Sequence, residues 1–147
     1  MKFSCEKALL SAAVSTASRA VAPKSSIPAL EGVLLEAEQE LNLTGYNLKT
    51  GIRGTISADI AEPGSIVLSA RLFGDIIRRL PDDMVTLSTD DLMVNITCGM
   101  SEFNILGMDP SQFPELPAVE YQNSMILPQR ILHSMITETI FAVSTND

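Results

Sequence analysis

The chain has 147 residues and a mass of 15.9 kDa, is 46% hydrophobic and 19% charged, and carries a net charge of −8 with a pI of about 4.5. That is a globular composition, with apolar side chains for one core and part of a second. No run approaches the roughly 18 consecutive apolar residues of a membrane-spanning helix, and the first 21 residues, interrupted by Glu6 and Lys7, read as structure rather than as a signal peptide.

Residues 2–5 are a short predicted strand, and 6–21 carry a helical period with Leu9, Leu10, Ala13, Val14, Ala17 and Val21 on one side. Pro23 and Pro28 end that helix in a loop. Three predicted strands follow, Gly32–Ala37, Leu41–Gly45 and Thr50–Ile60, and Glu62-Pro63-Gly64 makes a turn. The order then starts over. Ile66–Leu68 is a strand and Ala70–Leu80 an amphipathic helix stopped by Pro81. Met84–Ser88, Leu92–Thr97 and Glu102–Leu106 are three more strands.

A β-α-β-β-β pattern thus occurs twice before residue 107, and Pro110, Pro114 and Pro117 mark an extended linker behind it. The opening motif appears a third time as Met125-Ile126-Leu127 with a helix from Pro128 to about Thr139, and Phe141-Ala142-Val143 reads as the start of another strand. The three strand-to-helix junctions align: F-S-C-E-K-A-L-L at 3–10, L-S-A-R-L-F at 68–73 and L-P-Q-R-I-L at 127–132. Three matches in one order indicate tandem repeats. Residues 125–147 alone cannot bury the apolar face of their helix, so the expectation is the N-terminal piece of a longer protein.

Charge is unevenly distributed. Five of the ten basic residues (Lys7, Arg19, Arg71, Arg78 and Arg79) lie in the first two predicted helices with only Glu6 and Asp75 against them, a net +3 that leaves −11 for the rest. Arg71 and Arg78, seven apart, share the helix face opposite Leu72, Phe73, Ile76, Ile77 and Leu80. On the first helix Lys7, Ser11, Ser15, Ser18 and Arg19 form a polar face free of acids. Such faces suit a phosphate backbone, and the lack of interleaved aromatics argues against base stacking on single strands.

Other motifs carry little chemistry. There is no GxxxxGK[ST] or GxGxxG loop, and His133 is the single histidine, so no triad or metal set assembles around it. Asp82-Asp83 and Asp90-Asp91 flank hairpin turns, where Asp is favoured for local hydrogen bonding. Cys5 and Cys98, far apart and outside any CxxC, are expected as reduced buried thiols of a cytoplasmic protein. No cofactor or metal is expected.

Several stretches together resemble a known family: MKFSCEKALLSAA at the start, A-P-K-S-S-I-P-A-L-E-G-V-L-L-E-A (22–37), L-N-L-T-G-Y-N-L (41–48), E-P-G-S-I-V-L-S-A-R-L-F-G-D-I-I-R-R-L-P (62–81) and F-N-I-L-G-M-D-P-S-Q-F-P-E-L-P (103–117). They are similar to the bacterial β sliding clamps, the processivity subunits of DNA polymerase III, over essentially the whole chain. The resemblance implies an α+β clamp fold: a doubled β-α-β-β-β unit with two helices packed inside and antiparallel sheets outside. It implies a first clamp domain over 1–120, and a linker with the truncated start of a second over 121–147.

The implied function is a ring that encircles duplex DNA without reading its sequence and tethers the polymerase, with no catalysis of its own. The implied partners are duplex DNA, a second clamp chain joined head-to-tail, and polymerase III with its clamp loader, mainly through domains beyond residue 147. No membrane is involved. By resemblance Lys24, Arg71 and Arg78 fall on DNA-contacting positions, whereas Arg19 and Lys7 are assigned to DNA from the helical wheel alone. Ile76, Leu80, Phe103 and Ile105 match the positions through which two chains meet, and an isolated fragment is expected to leave them unpaired. Met100 and Glu102 stand where some members carry basic residues. Two alternatives compete: an acidic protein-interaction module, and a small-molecule enzyme with a carboxylate site.

Overall fold

A computed structural model describes residues 1–117 and 125–144. The chain divides into two compact units, Met1–Leu116 and Pro117–Asp147. In the first unit, β1 (Lys2–Glu6) leads into α1 (Lys7–Ala17) and a 3₁₀ turn at Ser18–Ala20. Strands β2 (Gly32–Ala37), β3 (Leu41–Tyr46), β4 (Gly51–Ile56), β5 (Asp59–Glu62) and β6 (Gly64–Ser69) follow. Then come α2 (Ala70–Arg79), β7 (Met84–Asp90), β8 (Met93–Cys98) and β9 (Ser101–Leu106).

The strands form two antiparallel sheets ordered β5-β1-β7-β8-β9 and β4-β3-β2-β6. The repeats are interlocked. β1 pairs with β7 of the second repeat (Ser4 opposite Thr86), and β6 pairs with β2 of the first (Val67 opposite Leu34). The first strand of each repeat therefore joins the three-stranded meander of the other. One core joins the inward residues of both sheets to the helices: Phe3, Leu35, Leu43, Ile66, Leu87 and Ile96 meet Leu10 and Val14 of α1 and Phe73 and Ile77 of α2.

The helices begin at equivalent places, 63 residues apart, with Glu6 and Ser69 as N-caps. The Ser69 side chain accepts from the Leu72 N–H, whereas the Lys7 N–H at the start of α1 donates to the Asp83 carbonyl at 3.2 Å, so a neighbouring turn satisfies that end. The apolar stripe is narrower than its period predicts. Leu9 and its equivalent Leu72 are exposed, at 42% and 46%, while the next residues, Leu10 and Phe73, are fully buried. Both lie in the first turn, at the margin of the face that two sheets cover.

The stretch read as one strand over 50–60 is two. β4 pairs with β3 in one sheet and β5 with β1 in the other. Half-burial alternates without a break from Ile52 through Gly54, Ile56 and Ala58 to Ile60. The chain crosses between sheets without changing phase, so alternation alone cannot reveal the crossing.

The Pro-rich stretch is not an extended linker up to residue 116. Met108 and Val67 exchange backbone hydrogen bonds of 2.8 and 3.1 Å, and a 3₁₀ turn at Pro110–Gln112 follows, capped by the Asp109 carboxylate on the Ser111 N–H. Phe113 then buries itself in a second cluster with Ala29, Leu30, Tyr46 and Val67. Leu34 and Val67 belong to this cluster while their neighbours Leu35 and Leu68 belong to the main core, so it covers the opposite face of the sheet.

Two glycines mark how closely the helices pack. A Cβ on Gly45 of β3 would lie 2.0 Å from the Ala17 carbonyl oxygen, so α1 rests its last turn directly on bare strand backbone. A Cβ on Gly74 of α2 meets only Val14 and the Arg78 side chain, at 3.7 and 3.5 Å. Gly74→Ala is therefore expected to raise the unfolding free energy by about 0.5–1 kcal/mol, as ordinary helix propensity predicts. Chemical denaturation measures it, and a loss of stability would show that the helix crossing needs the bare glycine.

Both cysteines are free and buried. Cys5 lies opposite Val85, which lies opposite Cys98, so two strand spacings, about 9.5 Å, separate their backbones, beyond the reach of a disulfide. Burial, helped by the Glu6 carboxylate, pushes the Cys5 thiol up to about 11.

In the second unit α3 spans Gln129–Thr139, with Pro128 as its N-cap. Residues 125–127, read as a strand, are irregular. Phe141-Ala142-Val143 does not start a strand either: Ile140–Ala142 is a 3₁₀ turn, at the same distance behind α3 as Ser18–Ala20 is behind α1. Ile131, Leu132, Met135 and Ile136 are exposed.

Candidate nucleic-acid interface

Three predicted cations converge on one concavity. The C-terminal end of α1 with its 3₁₀ turn, the loop at 21–31 and the exposed side of α2 enclose an open cavity of about 770 Å³. Lys24, Arg71 and Arg78 line it, together with Ser18, Ser69 and one acid, Glu31. Arg71 and Arg78 share the side of α2 away from Phe73 and Ile77, which the core claims. Lys24 arrives from 47 residues earlier because its loop is pinned: the Ala22 N–H donates to the Leu30 carbonyl at 3.1 Å, and Ala29 and Leu30 are buried.

A smaller concavity of about 170 Å³ adjoins it between the helices. Ser11, Ser15 and Ser18 of the acid-free face line it with Gly74 and Arg78. Small hydroxyl side chains and a glycine keep this surface low, so a polyanion can approach closely. Arg78 is paired with Asp75 one turn earlier, but both ends are well exposed, so the pair is weak and exchangeable.

The remaining assigned residues go elsewhere. Arg19 is exposed in the 3₁₀ turn and does not line the cavity. Lys7 is set apart: its Nζ donates to Asp82 at 2.7 Å, only 18% of its side chain is accessible, and it lines a different cleft with Glu6, Asp82 and Asp83. Its hydrogen bond and charge hold the exposed Asp82 carboxyl below the usual range. The wheel that grouped Lys7 with the basic face could not see this acid, 75 residues away.

The expectation of an unpaired apolar patch is corrected. Ile76, Leu80 and Ile105 are 7%, 4% and 8% accessible and belong to the core of the first unit. Only Phe103 stands out, 38% exposed on β9, the outer strand of its sheet. Ile105 is the buried residue of β9 and shares the core with Ile76 and Leu80, so these apolar side chains report burial within the chain.

The carboxylate pairs go to turns and to Lys7. The Asp83 Oδ1 accepts from the Met84 N–H at 2.7 Å, and Asp91 sits in a left-handed turn at φ 52°. Asp82 and Asp109 are both held below the ordinary range by hydrogen-bond donors, opposite to what a general acid requires. Among the described residues no group of three or more His, Cys, Asp or Glu is placed to hold a metal ion, and no helix is long and apolar enough to cross a membrane.

Comparison with known proteins places this architecture. Residues 1–117 match the family model described as DNA polymerase III beta subunit, N-terminal domain. The chain belongs to that family. It is 37% identical to a beta sliding clamp of Synechocystis and 36% identical to one of Staphylococcus aureus, aligning over its whole length with 40% and 42% of theirs. Among solved structures it superposes on a putative DNA polymerase III beta subunit from Eubacterium rectale with a TM-score of 0.92 at 37% identity, and on the sliding clamp of Bacillus subtilis with 0.91 at 32%. All of this chain and 41% of each of those chains are covered. The chain thus spans about two fifths of the family members it matches. The fold is the DNA clamp fold, α+β with antiparallel sheets around paired helices.

Among the charged residues that line the cavity, sequence reasoning missed Glu31. Its place follows only from the turn of its loop, and an acid two residues after Pro-Ala carries no signal of proximity to Arg71.

Proposed function

We propose that this chain supplies the first domain of a sliding clamp that encircles duplex DNA and tethers DNA polymerase III, with no catalysis of its own. The supporting observation is the gathering of Lys24, Arg71 and Arg78 on the helix side of a body whose net charge is −8. Cations confined to one concave surface attract phosphates there, and the acidic remainder repels them elsewhere. In this reading Arg19 approaches the DNA from the rim, and Lys7 contributes only after leaving Asp82.

The domain covers residues 1–120, and 121–147 are the linker and opening of a second domain, with α3 standing where α1 stands in the first. A second clamp chain meets this one head-to-tail along β9. Phe103 makes the contact, and Ile76, Leu80 and Ile105 support it from beneath. Polymerase III and the clamp loader engage mainly through domains beyond residue 147. The protein acts in the cytoplasm.

The test uses the protein at the full length of its relatives, loaded on nicked circular plasmid. The complex is expected to survive gel filtration on circles and to be lost when the plasmid is linearised. Equal retention on linear DNA would remove the topological reading.

A further inference from the structure

We infer that Glu31 is a positioning residue for Lys24: it is the carboxylate that holds the tip of the 21–31 loop so that Lys24 stays in the cationic cavity. The inference rests on the DNA-facing reading of that cavity and adds a residue to it.

An acid lining a phosphate-binding surface has the wrong sign, so its presence beside Lys24, Arg71 and Arg78 calls for a reason. It neutralises none of them, since among the described residues no salt bridge involves Glu31. Its Oε1 instead accepts the backbone N–H of Ser25 at 3.0 Å. Ser25 immediately follows Lys24, and its own Oγ accepts the Ile27 N–H at 3.1 Å, closing a side-chain turn.

The base of the loop is fixed independently by the Ala22–Leu30 and Leu30–Ile27 backbone bonds and by the burial of Ala29 and Leu30. Between these anchors residues 23–26 make no backbone–backbone hydrogen bond, and Glu31 is the group that reaches across to them. Without it the exposed Lys24 is free to leave the cavity with its backbone. A charge-assisted acceptor on a main-chain N–H is a strong tether for so short a span.

Electrostatics and positioning predict opposite signs, which makes the test decisive. Glu31→Gln removes the charge but keeps an acceptor oxygen; Glu31→Ala removes both. Binding of the 147-residue chain to a fluorescent 30-base-pair duplex is measured at 50 mM salt for both variants and for Lys24→Ala. Lys24→Ala is expected to weaken binding roughly threefold to tenfold, the share of one phosphate contact. Glu31→Gln is expected to bind at least as tightly as the parent. Glu31→Ala is expected to bind about threefold more weakly than Glu31→Gln, and to lose nothing further in the Lys24→Ala background.

If Glu31→Ala and Glu31→Gln bind alike while Lys24→Ala weakens binding, Glu31 holds nothing that matters and the inference is wrong, although the cavity reading stands. If Lys24→Ala leaves binding unchanged, the cavity reading loses Lys24 and the inference falls with it. A loss in Glu31→Ala that persists undiminished without Lys24 would also overturn it, since the effect would then act through something else.

Discussion

Replacing Lys24, Arg71 and Arg78 together by Ala is expected to lower the affinity of this chain for duplex DNA by about 100-fold at 50 mM salt and to flatten its salt dependence. Each cation that sits on a phosphate releases condensed counterions, so the slope of log K against log salt is expected to shrink by about 0.9 per contact, close to 3 for the set. The parent chain is expected to bind weakly and to lose its hold quickly as salt rises, because three phosphate contacts on one open surface are few. Anisotropy titrations at several salt concentrations read both quantities. Arg78 is expected to contribute least of the three, since it must first give up Asp75. Replacing Lys2, Lys49 and Arg53 instead serves as the charge-matched control, since none of the three lines the cavity. Equal losses from the control set would mean that net charge, not this surface, governs binding. An unchanged affinity in the triple variant would favour the acidic interaction module.

Gly45→Ala is expected to destabilise the first unit by about 3 kcal/mol or more, a large share of the stability of a domain this size. The added methyl would lie 2.0 Å from the Ala17 carbonyl oxygen and 2.8 Å from its carbon, and neither is the movable end of a side chain. Relief requires lifting the end of α1 from β3, which strips Ala13 and Ala17 of the contacts that bury them. Gly54 on the edge strand β4 supplies the contrast. No atom lies within 4 Å of its added Cβ, so Gly54→Ala is expected to change stability by less than about 0.5 kcal/mol. Urea unfolding of both variants measures the difference, and comparable values would show that α1 adjusts its seat without loss. A weakened α1 also bears on function, because its C-terminal turn carries one wall of the cationic cavity.

What the chain alone determined is what local periodicity can report. The apolar runs at Gly32–Ala37 and Ile66–Leu68, the helical stripe around Phe73 and Ile77, the stop at Pro81 and the recurring strand-to-helix junction are all legible residue by residue. Each reflects a side chain's own need for burial or a backbone's own constraint. The gathering of basic residues on the first two helices is legible for the same reason.

Only the tertiary structure decided which segments meet. It split 50–60 between two sheets, exchanged β1 and β6 between repeats, folded 107–116 back as a cover, and buried Ile76, Leu80 and Ile105 while leaving Leu9 and Leu72 outside. It also took Lys7 away to Asp82 and brought Lys24 and Glu31 to Arg71. The physical reason is common to all of these. A sequence period states that a side chain faces something apolar or water, but the identity of that neighbour is set by pairing among segments tens of residues apart. Strand register and helix seating resolve that pairing cooperatively once the whole core closes.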